Sequence, residues 1–311
     1  ALDPRITIDS GSVSASQTAR AVASSTGVAA RHESAAAGGG LFGMAVDGDE
    51  VGSFSYDGDQ VRLWDDLEPA LDAAFRRFVR SSVGALGAGQ GESFRGSILV
   101  PADALGDVIL GDLCAMLCAD AVRQGRSPFA GRIGERVAAP GFTLRTAGAG
   151  LAAYPLAPFD REGQPRTPLT LIEDGILKSF MFDATEARAA GRTSTGHASG
   201  GASSLPRIGP TTLTVDAGVG DLAQMHAMDR GVIVTRLSGS TNPVSGDFSG
   251  VVKGGFLVRD GEARPIQETT ISGNLWAALH TITAISSARS RFYGSRLLPA
   301  VRIDDISITA G

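Results

Sequence analysis

The chain has 311 residues, of which 43% are hydrophobic and 20% charged, and it carries a formal charge of −5. A chain of this length and balance builds a core without disulfides or metal. Its acidic charge, with no basic cluster, offers little to nucleic acid or an anionic membrane, so neither is an expected partner. The 41 glycines exceed the average usage of about 7% and imply many turns, while small and β-branched residues with few aromatics point to a sheet-rich interior.

The chain opens on Ala1 and runs directly into Asp3-Pro4-Arg5-Ile6-Thr7-Ile8, as the interior of a longer protein would. No charged segment followed by an apolar one marks a secretory signal, and no window of about 18 apolar residues suits a bilayer, so the cytoplasm is the expected location. Residues 1–91 read as the remainder of an α+β N-terminal unit. Alanine-rich residues 14–23 predict a short helix, and residues 44–64 a meander with turn signals at Asp47-Gly48-Asp49 and Asp57-Gly58-Asp59. Leu71, Phe75, Phe78, Val79 and Leu86 recur at helical spacing behind Asp66, a candidate N-cap. The glycines of residues 84–91 end that helix, loosen the chain and mark a boundary.

Residues 92–311 form the second unit. Ser97-Ile98-Leu99-Val100-Pro101 predicts a short buried strand. Residues 103–124 predict one helix, buried on more than one face by Leu105, Val108, Ile109, Leu113, Met116, Leu117 and Ala121. Cys114 and Cys118, four apart on it, read as small buried hydrophobes. Strands then dominate, with hairpin signals at Glu173-Asp174-Gly175 and Arg259-Asp260-Gly261 and helices at residues 184–190, 220–228 and 274–287. The last strand, residues 300–308, alternates apolar and polar except at Asp304-Asp305. The fold expected is α+β, with a large, mostly antiparallel sheet or barrel-like C-terminal domain carrying helices.

Residue types give mainly exclusions. His32, His197, His226 and His280 form no helical pair of the zinc-binding kind; His226 and His280 read as ordinary helix residues. His197 lies in Ser194-Thr195-Gly196-His197-Ala198-Ser199-Gly200-Gly201, which reads either as a plain loop or as one whose amides approach a ligand. No Gly-x-Ser-x-Gly elbow, phosphate loop or paired-cysteine ribbon is present. Phe159-Asp160-Arg161-Glu162-Gly163 offers an acid or base, or, as a solvated turn, Asp160 and Glu162 pairing Arg161.

The segments Gly239-Ser240-Thr241-Asn242-Pro243-Val244-Ser245-Gly246-Asp247-Phe248-Ser249-Gly250 and Thr270-Ile271-Ser272-Gly273-Asn274-Leu275 are rich in turn residues and hydrogen-bonding side chains. They read as a cleft for an extended peptide, or as loop and cap chemistry with Ser272 or Asn274 as the N-cap. His197, Asn242, Asp247, Ser249 and Asn274 are therefore the candidate substrate-binding residues.

Taken in order, Phe159-Asp160-x-Glu162-Gly163, a hairpin with Leu171, Ile172 and Gly175, Ser194-Thr195-Gly196, Pro206-Arg207, and the two segments above resemble the TldD/TldE (PmbA) peptidase family over the whole chain. The resemblance implies a cytosolic metallopeptidase acting on unstructured peptides, built from two related subunits around a chamber. In the TldD-type subunit a His-Glu-x-x-x-His helix and a later cysteine hold the metal and its glutamate activates water. Aligned on Ser127-Pro128-Phe129-Ala130-Gly131, those helix positions fall here on Leu110, Gly111 and Ala115, and the later loop, Ser290-Arg291-Phe292-Tyr293-Gly294-Ser295, has no cysteine.

The resemblance thus implies the TldE/PmbA branch, with no catalytic or metal-binding residue and no cofactor in this chain. Zinc is expected in a TldD-type partner, the two subunits forming a heterodimer that encloses the peptide. The alternative is a homodimer that binds or scaffolds peptides without proteolysis. The family's chains also continue ahead of the segment matching Asp3-Pro4-Arg5, so part of the first domain is expected to precede it.

Overall fold

The computed structural model describes residues 3–146 and 157–311. Strands β1 (Ile6–Ala23) and β2 (Ala29–Asp47) form a long antiparallel hairpin, in register from Ile6↔Ala45 to Ala23↔Ala29. Residues 14–23 are therefore strand and not helix. A short isolated helix is marginal in water, whereas each of these residues gains a cross-strand partner.

Strand β3 (Glu50–Val51) follows the turn at Gly48 (φ +59°), and β4 (Ser55–Val61) pairs with β2. Asp57-Gly58-Asp59 lies inside β4 and makes no turn. Gly58 stands opposite Gly40, and a Cβ there would come within 2.5 Å of the Gly39 carbonyl oxygen, so the glycine serves close strand approach. Helix α1 (Leu67–Gly84) covers β2 and β4 and buries Ala74, Phe78 and Ser82. Asp66 occupies its N-cap position without a capping side-chain bond. The glycine-rich segment after α1 is tied down, since Gly89 donates to the Pro265 carbonyl (3.1 Å) and accepts from the Gln267 amide (2.8 Å).

Strand β5 (Phe94–Val100) leads into the core helix, which is not continuous. It runs as α2 (Ala102–Leu105), a π turn (Gly106–Leu110), α3 (Gly111–Met116) and, after a break, α4 (Ala119–Arg123). At the break Cys118 is extended (φ −88°, ψ 137°), because the Met181 amide donates to the Leu117 carbonyl and the Ala119 amide to the Met181 carbonyl, both at 2.9 Å. A strand-like pairing with a distant segment has displaced two helical bonds.

Beyond it lie β6 (Leu144–Thr146), β7 (Leu169–Glu173), β8 (Ile176–Leu177), α5 (Ala184–Ala189), β9 (Ala198–Ser199), β10 (Arg207–Ile208), β11 (Leu213–Val215) and α6 (Leu222–His226). The chain continues through β12 (Arg230–Ile233), β13 (Leu237–Thr241), β14 (Asp247–Val252), β15 (Phe256–Arg259), β16 (Glu262–Pro265) and β17 (Thr269–Asn274). It closes with α7 (Leu275–Ala278), β18 (Ile282–Phe292) and β19 (Arg296–Ala310). The helix expected over residues 274–287 is thus one α turn and a 3-10 turn. Its remainder, with β-branched Ile282, Thr283 and Ile285, is strand paired to β19.

The large sheet runs β16-β15-β12-β5-β19-β11-β6-β7-β8, with β14 and β13 joining through β17 and with β18 on β19. β5 with β12 and β11 with β19 are parallel, and the other ladders are antiparallel. It is an open mixed sheet and not a closed barrel. The β7–β8 and β15–β16 turns carry positive φ at both Asp174 and Gly175, and at both Asp260 and Gly261, as two-residue hairpin turns require. The β19–β5 register shifts between Ile303 and Ile306, with Asp305 at φ +67°, so the break in alternation is a bulge. Leu105, Ile109, Leu113 and Met116 seal the core against Ile98, Leu144 and Val301. Among the described residues no helix is long and apolar enough to cross a membrane.

Candidate functional site

Four of the five candidate residues meet at one end of the β13–β14–β17 ladder. Residues 242–246 form the β13–β14 connection, where the Gly246 amide donates to the Asn242 carbonyl (2.7 Å) and the Asn242 amide to the Asp247 carbonyl (2.8 Å). Asn242 Oδ1 accepts from the amides of Val244 (3.0 Å) and Ser245 (3.3 Å). Gly246 must be glycine here, because its φ is +86° and a Cβ would sit 2.3 Å from Trp276 Cδ1.

Asn274, not Ser272, caps α7. Its Oδ1 accepts from the Trp276 and Ala277 amides, both at 3.1 Å. Its Nδ2 donates to the Ser245 carbonyl (2.8 Å) and to Asp247 Oδ1 (3.0 Å), locking the loop to the helix. The Ser245 hydroxyl donates to Asp247 Oδ2 (2.9 Å). These bonds, Asn274's first and Ser245's next, hold the Asp247 carboxyl below its ordinary pKa. Ser249 lies on β14 directly between Ser240 of β13 and Ser272 of β17, a row of hydroxyls on one face. The arrangement offers acceptors and hydroxyls along a sheet edge, and its one carboxylate stays ionised.

His197 belongs elsewhere. It is only 1% exposed, with Nδ1 2.8 Å from Thr195 Oγ1 and Nε2 3.2 Å from Thr146 Oγ1. Burial lowers its pKa to about 4, so the ring is neutral and already partnered. The neighbouring Asp160, wholly buried, accepts from the amides of Glu162 (2.8 Å), Gln164 (2.9 Å) and Ala198 (3.0 Å). It ties two loops together by backbone chemistry.

Neither acid pairs Arg161. That guanidinium bonds the carbonyls of Gly201 and Ser204, and Glu162 Oε2 accepts the Ala184 amide at the start of α5 (2.8 Å). Burial raises the Glu162 pKa. Cys114 and Cys118 are buried free thiols; burial pushes Cys118 up to about 12 and Cys114 higher still, which leaves both unreactive. His226 and His280 are surface residues of short helical turns.

The positions matching the metal site of TldD-type subunits do not fit a metal. Leu110 is 0% exposed within the core, Gly111 and Ala115 carry no donor atom, and residues 290–295 are the end of β18 and the β18–β19 turn, with Tyr293 at φ +47° and Gly294 at φ +61°. Among the described residues no cluster of three or more His, Cys, Asp or Glu side chains is spaced to hold an ion. A π turn lies at this place, Gly106 lying against Arg296, whose Nη1 donates to Asp107 Oδ1 (2.9 Å).

The open α+β sheet has a TldE-like fold. The crystal structure of TldE from Thermococcus kodakarensis matches with a TM-score of 0.85, covering 96% of this chain and 68% of that one at 24% identity, a likeness of fold. The chain belongs to the PmbA/TldD metallopeptidase family, since the PmbA/TldA metallopeptidase C-terminal domain matches residues 94–310. Metalloprotease PmbA of Escherichia coli O157:H7 is 36% identical over 152 residues, which cover 47% of this chain and 32% of that protein. An uncharacterized protein of Methanocaldococcus jannaschii is 28% identical over 215 residues, covering 68% of this chain and 50% of that protein. The chain spans half or less of the length of these curated relatives.

Proposed function

We propose that this chain is a TldE/PmbA-like, non-metal-binding subunit of a cytosolic metallopeptidase that acts on unstructured peptides. Its TldD-type partner carries the zinc, and this subunit completes the substrate chamber. The observation that carries the reading is the core helix, on which Leu110, Gly111 and Ala115 stand where the resemblance would place ligands and base. No side chain there can bind a cation or move a proton.

In this reading the chain's own contribution is to hold an extended peptide. The Ser240–Ser249–Ser272 row and the Asn242, Asp247 and Asn274 group at the end of the β13 edge present hydrogen-bonding atoms of the kind that engage a peptide main chain regardless of sequence. His197, buried between Thr195 and Thr146 with both ring nitrogens partnered, has no part in this reading.

The test is cleavage of an unstructured peptide such as a casein fragment by the purified protein, by a TldD-type subunit of the same organism, and by the two together. Cleavage only when the zinc subunit is present, abolished by a chelator and faster with this chain added, is expected. Cleavage by this protein alone that survives a chelator overturns the assignment.

A further inference from the structure

Strand β1 lies at the margin of the N-terminal sheet. It pairs with β2 along its length, and among the described residues no strand pairs with its other side. The Val46 amide donates to the Arg5 carbonyl (2.8 Å) and the Ser24 amide to the Val28 carbonyl (3.0 Å). With this register the main-chain groups of even-numbered residues 10–20 face β2, and those of Gly11, Val13, Ala15, Gln17 and Ala19 point outward. Every residue from Thr7 to Ala21 is exposed, and because successive side chains alternate between faces, neither face of the strand is covered there.

Such an edge is a template for further pairing, which proteins ordinarily blunt with charge, proline or brevity. β1 has 18 residues, where strands usually run to about five or six. It holds no proline or lysine, and its run from Ser10 to Ala19 is uncharged. Its one irregularity, the register shift between Ile8 and Ser10, comes before that run. Beyond Ala37↔Val61, where the β4 ladder on β2 ends, β1 and β2 continue as a two-stranded ribbon. A ribbon of this kind is marginally stable in water unless something packs on it, and only its tip is seated, on Gly163.

The charges at the ends of the edge select the partner. Asp9 and Arg20 flank the uncharged run. A second copy laid antiparallel sets Asp9 of each beside Arg20 of the other, at both ends, whereas a parallel copy sets like charges together. The ion-pairing register places a two-fold axis near Ala15, so that Val13 faces Gln17 and Gly11 faces Ala19, and about ten main-chain hydrogen bonds close across the axis. Serine, glycine and alanine make up most of the run, and no bulky side chain obstructs the approach.

We propose that β1 is a self-association surface, through which two copies of this chain pair antiparallel along Ser10–Ala19 and join their N-terminal sheets across a two-fold axis. The surface belongs to a different sheet from the β13–β14–β17 ladder, and it does not depend on the subunit reading given above.

Sedimentation equilibrium of the purified full-length protein from about 1 to 100 µM, the span of ordinary reversible association, tests it, and a dimer is expected. Ala15→Pro removes an outward amide that the β2 ladder does not use, so it should leave the melting temperature of the monomer unchanged and weaken dimerisation about tenfold or more. Asp9→Arg and Arg20→Asp, each alone, set like charges across the axis and should weaken dimerisation about tenfold, while the two together should restore it. A protein monomeric throughout, a dimer indifferent to Ala15→Pro, or a double charge variant no better than either single one overturns the proposal. The charge reversals leave the backbone of the strand as it is, so they decide even where the proline variant fails to fold.

Discussion

His197 sits between Thr195 and Thr146, and burial, aided by the nearby Arg166 cation, holds its pKa about 4 against an ordinary 6.5. The ring is neutral in the folded protein, and the unfolded chain binds a proton more readily. Stability is therefore complete above pH 6.5 and is lost as pH falls from 6.5 to 4, by about 3 kcal/mol in all. Denaturant unfolding at pH 7.5, 5.5 and 4 for the protein and for His197→Gln checks this, because the carboxylates titrate in both and only the difference reports the histidine. Identical pH slopes would show that the ring is not sequestered. The sequence marked His197 as notable because of its small-residue loop, but nothing local distinguishes a loop that approaches a ligand from one that closes over a histidine. Asp160 was legible as a turn acid; that its second oxygen serves Ala198, 38 positions away, was not.

Among the elements, Asn274 carries the most connections for its size. It caps α7 with one oxygen and clamps the β13–β14 connection through its nitrogen. Asn274→Ala should cost about 1–2 kcal/mol from the lost cap alone, read as a lower urea midpoint. If the neighbouring edge holds peptide, the variant should also weaken peptide binding by the assembled enzyme. Asn274→Asp keeps the cap but sets a second carboxylate beside Asp247, so it should recover most of the stability and little of the binding. Turn chemistry was legible at Asp47-Gly48, Asp174-Gly175 and Asp260-Gly261, where the glycine takes positive φ, but not at Asp57-Gly58, which is drawn into β4. Helix continuity was the least legible. The break at Cys118 depends on Met181, and the conversion of residues 282–287 to strand depends on β19, so neither has a cause within its own window.

For the whole molecule, the β1–β2 hairpin reaches from the N-terminal sheet to the loop of residues 159–163. Its tip rests on Gly163, where φ is +80° and a Cβ would lie 2.3 Å from Val28 Cγ1. Gly163→Ala should cost about 1–3 kcal/mol in backbone strain and lift the hairpin off its seat. Limited proteolysis should then cut residues 24–27 several times faster than in the parent protein, while an unchanged rate would mean that the tip is not held there.

The sequence by itself determined the class of fold, the turns at Asp47-Gly48, Asp174-Gly175 and Asp260-Gly261, the break in alternation at Asp304-Asp305 and the presence of Leu110, Gly111 and Ala115 on the core helix. Each of these is written in residues adjacent along the chain, where hydrophobic period, positive-φ demand and side-chain donor type act directly. Tertiary structure decided which hydrogen-bonding residues form a group, which strand edge is left without a partner, and where strand pairing overrides helix. Those outcomes depend on partners tens or hundreds of positions away, whose approach is set by packing of the large sheet and not by any local preference.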